Sequence, residues 1–134
     1  MYNTGMAKFI LNKLVRDRFL GIYNELGQKA TYRLLDTQEH KQKLIEKIIE
    51  EAKELNSVAE KDLIEEIADV EQAIDDLKKI YGIQEEKLEI IKSKKNEKRG
   101  SFEKGVYIET LELQEADKWN DYYRSEPDRF KELK

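Results

Sequence analysis

Two long amphipathic helical patterns follow each other in the chain, and they constrain its fold more than any other feature. The first pattern runs from about Thr37 to Asn56, and the second runs through DLIEEIADVEQAIDDLKKIY until Gly82. In each pattern the apolar residues recur at helical spacing and form one arc, which must be buried against another element. Asp36 or Thr37 can cap the first helix, with Glu39 placed for a capping box. The short polar segment between the two patterns predicts an antiparallel helix hairpin.

The rest of the chain predicts three more helices and two short extended segments. The helices are expected from about Lys13 to Leu26, from Gln84 to about Lys98, and after Glu115, around the aromatic residues Trp119, Tyr122 and Tyr123. The segment Ala30–Leu35 fits either a strand or extended coil, and the alternating segment VYIETLEL is its best partner if both are strands. The sequence therefore predicts an all-α fold, a helical bundle of four to five helices built on the hairpin, with room for a minor two-stranded β pair.

Length and composition limit the number of domains and the class of partner. The 134 residues are enough for one modest core, so a single domain over residues 1–134 is expected. Hydrophobic residues make up 39% and charged residues 40%, which favours charged amphipathic helices. With 25 basic and 29 acidic residues the formal net charge is -4, which argues against nucleic acid or an anionic membrane as partner.

Cysteine usage and hydropathy bear on the compartment. The chain has no cysteine, which excludes disulfides, thiolate catalysis and cysteine-based zinc sites and fits a reducing compartment. Near the start of the sequence, the apolar patch Phe9–Leu11 is too short for a signal-peptide core or a membrane span. A cytoplasmic protein without a membrane anchor is the default expectation.

Four acids on the two long helices are the strongest candidates for chemistry. At about 100° per residue, Glu66 falls inside the apolar arc of its helix, while Asp69 lies at its margin. On the preceding helix, Glu51 sits at the edge of the arc with Glu54 beside it. A carboxylate inside an apolar arc loses hydration unless a cation or hydrogen-bond donors compensate it, and a metal is one such explanation.

The spacing of these acids adds to the metal hypothesis. Glu51 with Glu54, and Glu66 with Asp69, are i,i+3 pairs that project from one face of a helix, and antiparallel packing could bring both pairs together. Four oxygen donors without His or Cys suit Mg²⁺, or Mn²⁺ as a substitute, and such sites receive substrate phosphates. The competing interpretation is that, among 29 acids, such pairs arise by chance on solvated helix faces.

Four motifs along the chain resemble those of one enzyme family. The chain reads Glu50-Glu51-Ala52-Lys53-Glu54, then after eleven residues Glu66-Ile67-Ala68-Asp69, which matches an EExxE motif followed by ExxD. With the segments NKLVRD and KRGSFEKGVYIE, the chain resembles the MazG-type all-α NTP pyrophosphohydrolases, in particular a small single-domain subgroup, over residues 12 to 113. That family is related to phosphoribosyl-ATP pyrophosphohydrolases and dimeric dUTPases.

The resemblance implies a reaction and a set of site residues. Glu51, Glu54, Glu66 and Asp69 would bind Mg²⁺, and Glu50 would orient or deprotonate the attacking water. The substrate would be a nucleoside triphosphate or related nucleotide, hydrolysed between its α- and β-phosphates to a monophosphate and pyrophosphate. Its expected contacts are Lys92, Asn96 and Arg99, which resemble the family's KxxxNxxR/K stretch, together with Lys13 and Arg16, for which structural salt bridges are the alternative role.

The resemblance also implies assembly of the chain with itself, as a homodimer or homotetramer, and a role in nucleotide-pool housekeeping. Two other functions are kept open by the sequence. One is a non-catalytic helical nucleotide-binding or assembly module that keeps the fold and uses its acids in salt bridges. The other is nucleic-acid binding, which rests only on the basic stretch from Lys92 to Arg99.

Overall fold

The computed structural model describes residues 5–134, and this part of the chain contains five α-helices and no strand. The helices are α1 (Phe19–Glu25), α2 (Thr37–Glu54), α3 (Leu63–Tyr81), α4 (Glu85–Arg99) and α5 (Trp119–Arg124), with one 3₁₀ turn at Glu60–Asp62. The prediction of an all-α fold with four to five helices is confirmed.

The described chain divides into two compact units, with the boundary between Lys92 and Ser93 inside α4. The single domain expected over residues 1–134 stays a prediction, and its first four residues lie outside the described part. No helix within residues 5–134 is both long enough and apolar enough to cross a membrane.

Helix α2 begins at Thr37, and Asp36, one of the two caps that the sequence allows, is its N-cap. The Asp36 side chain accepts a hydrogen bond of 2.8 Å from the backbone N–H of Glu39, which satisfies one of the free donors of the first turn. The carboxylate of Glu39 accepts two hydrogen bonds of 2.6 Å from the guanidinium of Arg33, which ties the preceding segment to the helix start. Of the two N-caps that the sequence allows, the helix uses Asp36. The capping box expected of Glu39 is not formed, because both of its carboxylate oxygens accept from Arg33.

Helix α3 ends at Gly82, as the sequence predicts. Gly82 has a φ of 67°, in the left-handed region that favours glycine. The N–H of Ile83 donates to the Lys78 carbonyl at 2.9 Å and the N–H of Gly82 donates to the Lys79 carbonyl at 3.1 Å. These two bonds form a Schellman motif, which satisfies carbonyls that the last turn would otherwise leave free.

Helices α2 and α3 pack against each other in antiparallel orientation. Near the start of α2, the ammonium of Lys41 lies 4.4 Å from the centre of the Tyr81 ring, at the end of α3. Leu44 and Ala73, one from each helix, are the buried apolar residues of the described chain. The opposite end of the hairpin, where α2 ends and α3 begins, carries the predicted metal ligands.

The first predicted helix is shorter than expected. It was expected from about Lys13, but α1 begins at Phe19. Asn12 has a φ of 47°, outside the helical region, and residues 12–16 have no regular secondary structure. In this stretch Lys13 and Arg16 form ion pairs with acids of the hairpin, which compete with helix formation.

The β pair allowed by the sequence is not formed within residues 5–134. Ala30–Leu35 and the segment 106–113 have no regular secondary structure and are mostly exposed. A strand is stabilised by side-chain packing and by a hydrogen-bonded neighbour, and alternation of residues supplies neither.

Residues 93–134 form a unit without a buried residue. Its best-packed part is an aromatic cluster in which Trp119 meets Tyr122 edge-on at 5.6 Å and Tyr123 meets Phe130 edge-on at 5.0 Å between ring centres. The N–H of Trp119 donates to the Asp117 side chain at 2.9 Å, which supports the start of α5.

Candidate metal centre

Three of the four predicted metal ligands converge at one end of the hairpin. Glu51 lies in the last turn of α2, and Glu66 and Asp69 lie in the first two turns of α3, so the antiparallel packing brings these turns together. One carboxylate oxygen from each residue lies within 4.8 Å of the other two. We call Glu51, Glu66 and Asp69 the acidic triplet.

The acids of the triplet differ in burial. Glu51 is the most buried, with 9% of its surface exposed, while Glu66 and Asp69 are half-buried. Oxygen Oε1 of Glu66 is shielded from solvent and has no hydrogen-bond partner within the described residues. An ionised carboxylate in that position loses hydration without gaining a donor, so a proton or a bound cation is needed to offset the cost.

The surroundings of Glu66 favour its protonated form. The neighbouring carboxylate of Glu51 raises the pKa of Glu66 most, burial raises it further, and the carboxylate of Glu54 adds to both, so that the pKa reaches about 7. Carboxylates this close share a proton because they avoid ionising together. A divalent cation can replace that proton, since it satisfies the same oxygens.

The fourth predicted ligand, Glu54, is exposed and is not one of the three residues whose oxygens converge. Glu54 is the last residue of α2. Its carboxylate is nevertheless close enough to raise the pKa of Glu66. The structure therefore brings Glu54 to the margin of the triplet.

The predicted catalytic residue, Glu50, faces two lysines. Its Oε1 accepts a hydrogen bond of 2.8 Å from Lys13, and its Oε2 lies 3.6 Å from the ammonium of Lys47. The hydrogen bond from Lys13 is the main cause of a lowered pKa of Glu50, and the pKa of Lys13 is raised by the same contact. A carboxylate with a lowered pKa is a weak base, so this environment suits orientation of water better than proton abstraction.

Two further cations contact the triplet itself. Arg16 donates from Nη2 to Oδ1 of Asp69 at 2.5 Å, and the ammonium of Lys47 lies 3.2 Å from Oε1 of Glu51. Lys47 is not among the site residues predicted from the sequence. Its position three and four residues before Glu50 and Glu51 was the available signal, because side chains at these spacings meet on a helix.

The remaining predicted substrate contacts lie on α4. Lys92, Asn96 and Arg99 are exposed and share a face of that helix by their spacing. Lys92 lies 3.5 Å from the Glu89 carboxylate, an exposed pair of the kind that contributes little to stability. The unit boundary lies between Lys92 and the other two residues, and the role of this stretch stays a prediction.

Comparisons of the chain with protein-family models, with curated proteins and with solved structures give no match. Three carboxylates, one of them with an oxygen that lacks a donor, form a donor set for a hard divalent cation, and neither His nor Cys is among them. The residues present fit Mg²⁺ or Mn²⁺.

Proposed function

We propose that this chain is a magnesium-dependent nucleotide pyrophosphohydrolase of the MazG type. It hydrolyses a nucleoside triphosphate or a related nucleotide between the α- and β-phosphates and releases a monophosphate and pyrophosphate. The observation that carries the proposal is the convergence of Glu51, Glu66 and Asp69 from two helices, with Oε1 of Glu66 buried and lacking a donor.

The charge balance around the triplet supports a divalent cation. Within residues 5–134, the five acids Glu50, Glu51, Glu54, Glu66 and Asp69 form ion pairs with three bases, Lys13, Arg16 and Lys47. Full ionisation therefore leaves two of the five negative charges without an ion pair in this part of the chain. Glu51, Glu66 and Asp69 would hold Mg²⁺, with Mn²⁺ as a substitute, and Glu54 at the margin of the triplet is the proposed fourth ligand. Mg²⁺ keeps several waters in such sites and takes up phosphate oxygens.

The other site residues act on water and substrate. When bound, the metal supplies Lewis-acid activation of the phosphate and of water. Glu50, which stays ionised beside Lys13, orients the attacking water. Lys13 and Arg16 neutralise phosphate charge. Lys92, Asn96 and Arg99 are proposed as nucleotide contacts because their stretch resembles the family's KxxxNxxR/K pattern. No covalent enzyme intermediate is needed.

The experiment is a pyrophosphate-release assay over a panel of nucleoside triphosphates with Mg²⁺. The test variant is Glu66→Gln, which keeps the shape of the side chain, and the matched control is Glu65→Gln, an exposed neighbour on the same helix. We expect Glu66→Gln to lower turnover about 100-fold or more, and Glu65→Gln to change it less than about twofold. Equal turnover in the two variants would contradict the proposed site.

The second candidate is a non-catalytic helical nucleotide-binding or assembly module. The ion pairs Lys13–Glu50 and Arg16–Asp69 favour it, because they already use acids of the centre in structural contacts. A ligand that binds only the folded state raises the melting temperature. The enzyme therefore predicts stabilisation by millimolar Mg²⁺ that is lost in Glu66→Gln, whereas the module predicts none.

Self-association as a homodimer or homotetramer is part of the same proposal, as are a cytoplasmic location and a role in nucleotide-pool housekeeping. Its support is the exposed apolar surface of the hairpin, where Ile45, Ile49, Ile64 and Ile67 are between 39% and 75% exposed. Exposed apolar side chains spaced three or four residues apart on each helix favour association with another apolar surface. Sedimentation equilibrium of the full chain measures the oligomeric state.

A further inference from the structure

The segment of residues 12–18, which we call the basic strap, forms ion pairs with both helices of the hairpin. Lys13 contacts Glu50 of α2 across 37 positions of the chain, and Arg16 contacts Asp69 of α3 across 53 positions. The strap is anchored between these contacts by Leu14 and Val15, which are half-buried. Its two cations thus lie against acids of the hairpin, although both side chains remain partly exposed to solvent.

The two contacts of the strap differ in one respect. Lys13 pairs with Glu50, which is outside the acidic triplet, whereas Arg16 pairs with Asp69, which is a member of it. A divalent cation bound to the triplet would lie beside the guanidinium of Arg16. Two cations on one carboxylate repel each other, so Arg16 and the metal compete for Asp69.

The Arg16–Asp69 pair is also accessible enough to exchange. The side chain of Arg16 is 57% exposed and that of Asp69 is 40% exposed, so water can solvate both partners when they separate. Exposed ion pairs of this kind are weak, even when their geometry is good. Replacement of the guanidinium by a metal therefore requires no rearrangement of the hairpin.

We propose that Arg16 is an internal counter-cation of the centre, which occupies Asp69 in the metal-free chain and is displaced when a divalent cation binds. The inference rests on the proposed function, because it takes the triplet as the metal site. Displacement frees a planar, bidentate donor beside the metal, and such a donor suits the oxygens of a polyphosphate. Arg16 thus couples metal binding to phosphate binding, and the polyphosphate binds after the metal.

The experiment follows Arg16 directly in the full-length chain. Side-chain ¹⁵N resonances of labelled arginine are recorded without metal, with saturating Mg²⁺, and with excess Mg²⁺ plus inorganic tripolyphosphate. Arg16→Gln identifies the resonance, and calorimetric titration with Mg²⁺ gives the affinity of each variant. The matched control is Arg18→Gln, which removes the same charge two positions away at a residue that is exposed and forms no ion pair within the described chain.

We expect the Arg16 resonance to move on addition of Mg²⁺ and to move again with tripolyphosphate. We expect Arg16→Gln to bind Mg²⁺ about three- to fivefold more tightly, since a weak competing ion pair is gone, and Arg18→Gln to stay within about twofold of the unchanged chain. Circular dichroism of Arg16→Gln checks that the helices are kept.

The two proposals fail differently. If Mg²⁺ binds and Glu66→Gln abolishes the binding, but the Arg16 resonance stays still and Arg16→Gln binds no more tightly, only the counter-cation role is overturned. If the unchanged chain binds no Mg²⁺, the proposed function and this inference both fall.

Discussion

The helix hairpin and the unit of residues 93–134 are held together by contacts of different range. In the hairpin unit, ion pairs join residues that are 37 and 53 positions apart. In residues 93–134, the side-chain ion pairs span at most eight positions, as in Arg124–Glu132. The difference matters for function, because a site for a small charged ligand needs side chains that arrive from separate segments. Only the hairpin unit supplies such convergence among its described residues.

The two regions also differ in how deeply their apolar side chains are buried. Leu44 and Ala73 give the hairpin a small apolar core, whereas residues 93–134 rely on the partly exposed ring contacts of Tyr122, Tyr123 and Phe130. A side chain removed from water contributes more than one that stays half in it. Substitutions in the two regions are therefore expected to differ in size and in what they report.

The largest effect is expected in the hairpin core. Leu44 is 4% exposed, so Leu44→Ala removes buried methyl groups and leaves a cavity, which lowers the free energy of unfolding by about 2 to 4 kcal/mol. Urea denaturation followed by helical circular dichroism measures it. The matched control on the same helix is Ile49→Ala, which is 51% exposed and should cost less than about 1 kcal/mol in the monomer. Equal losses in the two variants would show that the hairpin has no core of its own.

The next effect concerns pH at the acidic end of the hairpin. Metal binding requires ionised Glu66, whose pKa is raised from 4.5 to about 7. At pH 6 about one tenth of this group is ionised and at pH 8 about nine tenths, so the Mg²⁺ affinity should rise about tenfold between these values. Calorimetric titration at both pH values checks this. An affinity that is the same at both would exclude Glu66 as the controlling group.

The raised pKa of Glu66 also affects the stability of the metal-free chain. This stability should fall as pH rises, whereas the Mg²⁺ affinity should rise. Between pH 4.5 and pH 7 the folded chain holds more protons at Glu66 than the unfolded chain does, so the contribution of this group to stability falls as pH rises through that window. Glu66→Gln should remove this part of the pH dependence of urea unfolding. A variant with the unchanged slope would show that other groups cause it.

A substitution in the aromatic cluster of residues 119–130 is expected to have the smallest effect on the hairpin. Phe130 contacts the rings of Tyr122 and Tyr123 at 5.9 and 5.0 Å between centres, so Phe130→Ala loses aromatic contacts of about 1 kcal/mol each and weakens the near-ultraviolet circular dichroism. The contacts that bring the triplet together come from other residues, so the Mg²⁺ affinity should stay within about twofold. A loss of Mg²⁺ binding would mean that the two regions are coupled.

Much of the hairpin could be predicted because its signals are local. The side chain of Asp36 and the left-handed conformation of Gly82 act within one helical turn, and the apolar arcs repeat every 3.6 residues. The candidate metal ligands followed in part from the same periodicity, since Glu66 stood out as an acid inside an apolar arc. Its Oε1 is buried and has no hydrogen-bond partner among residues 5–134. Of the two interpretations left open for residues 30–35, extended coil is the one found, and alternation alone could not decide this because strand pairing depends on distant backbone.

The sequence by itself determined the two long helices, their caps and the pairs of acids that they carry. The tertiary structure decided how deeply each acid is buried. Glu51, expected at the edge of an arc, is the most buried of the four candidate ligands, and Glu54 is exposed. It also decided that Arg16 lies on Asp69. Helical periodicity gives the direction of a side chain relative to its own helix, whereas burial and long-range ion pairs depend on how two helices are rotated and aligned against each other.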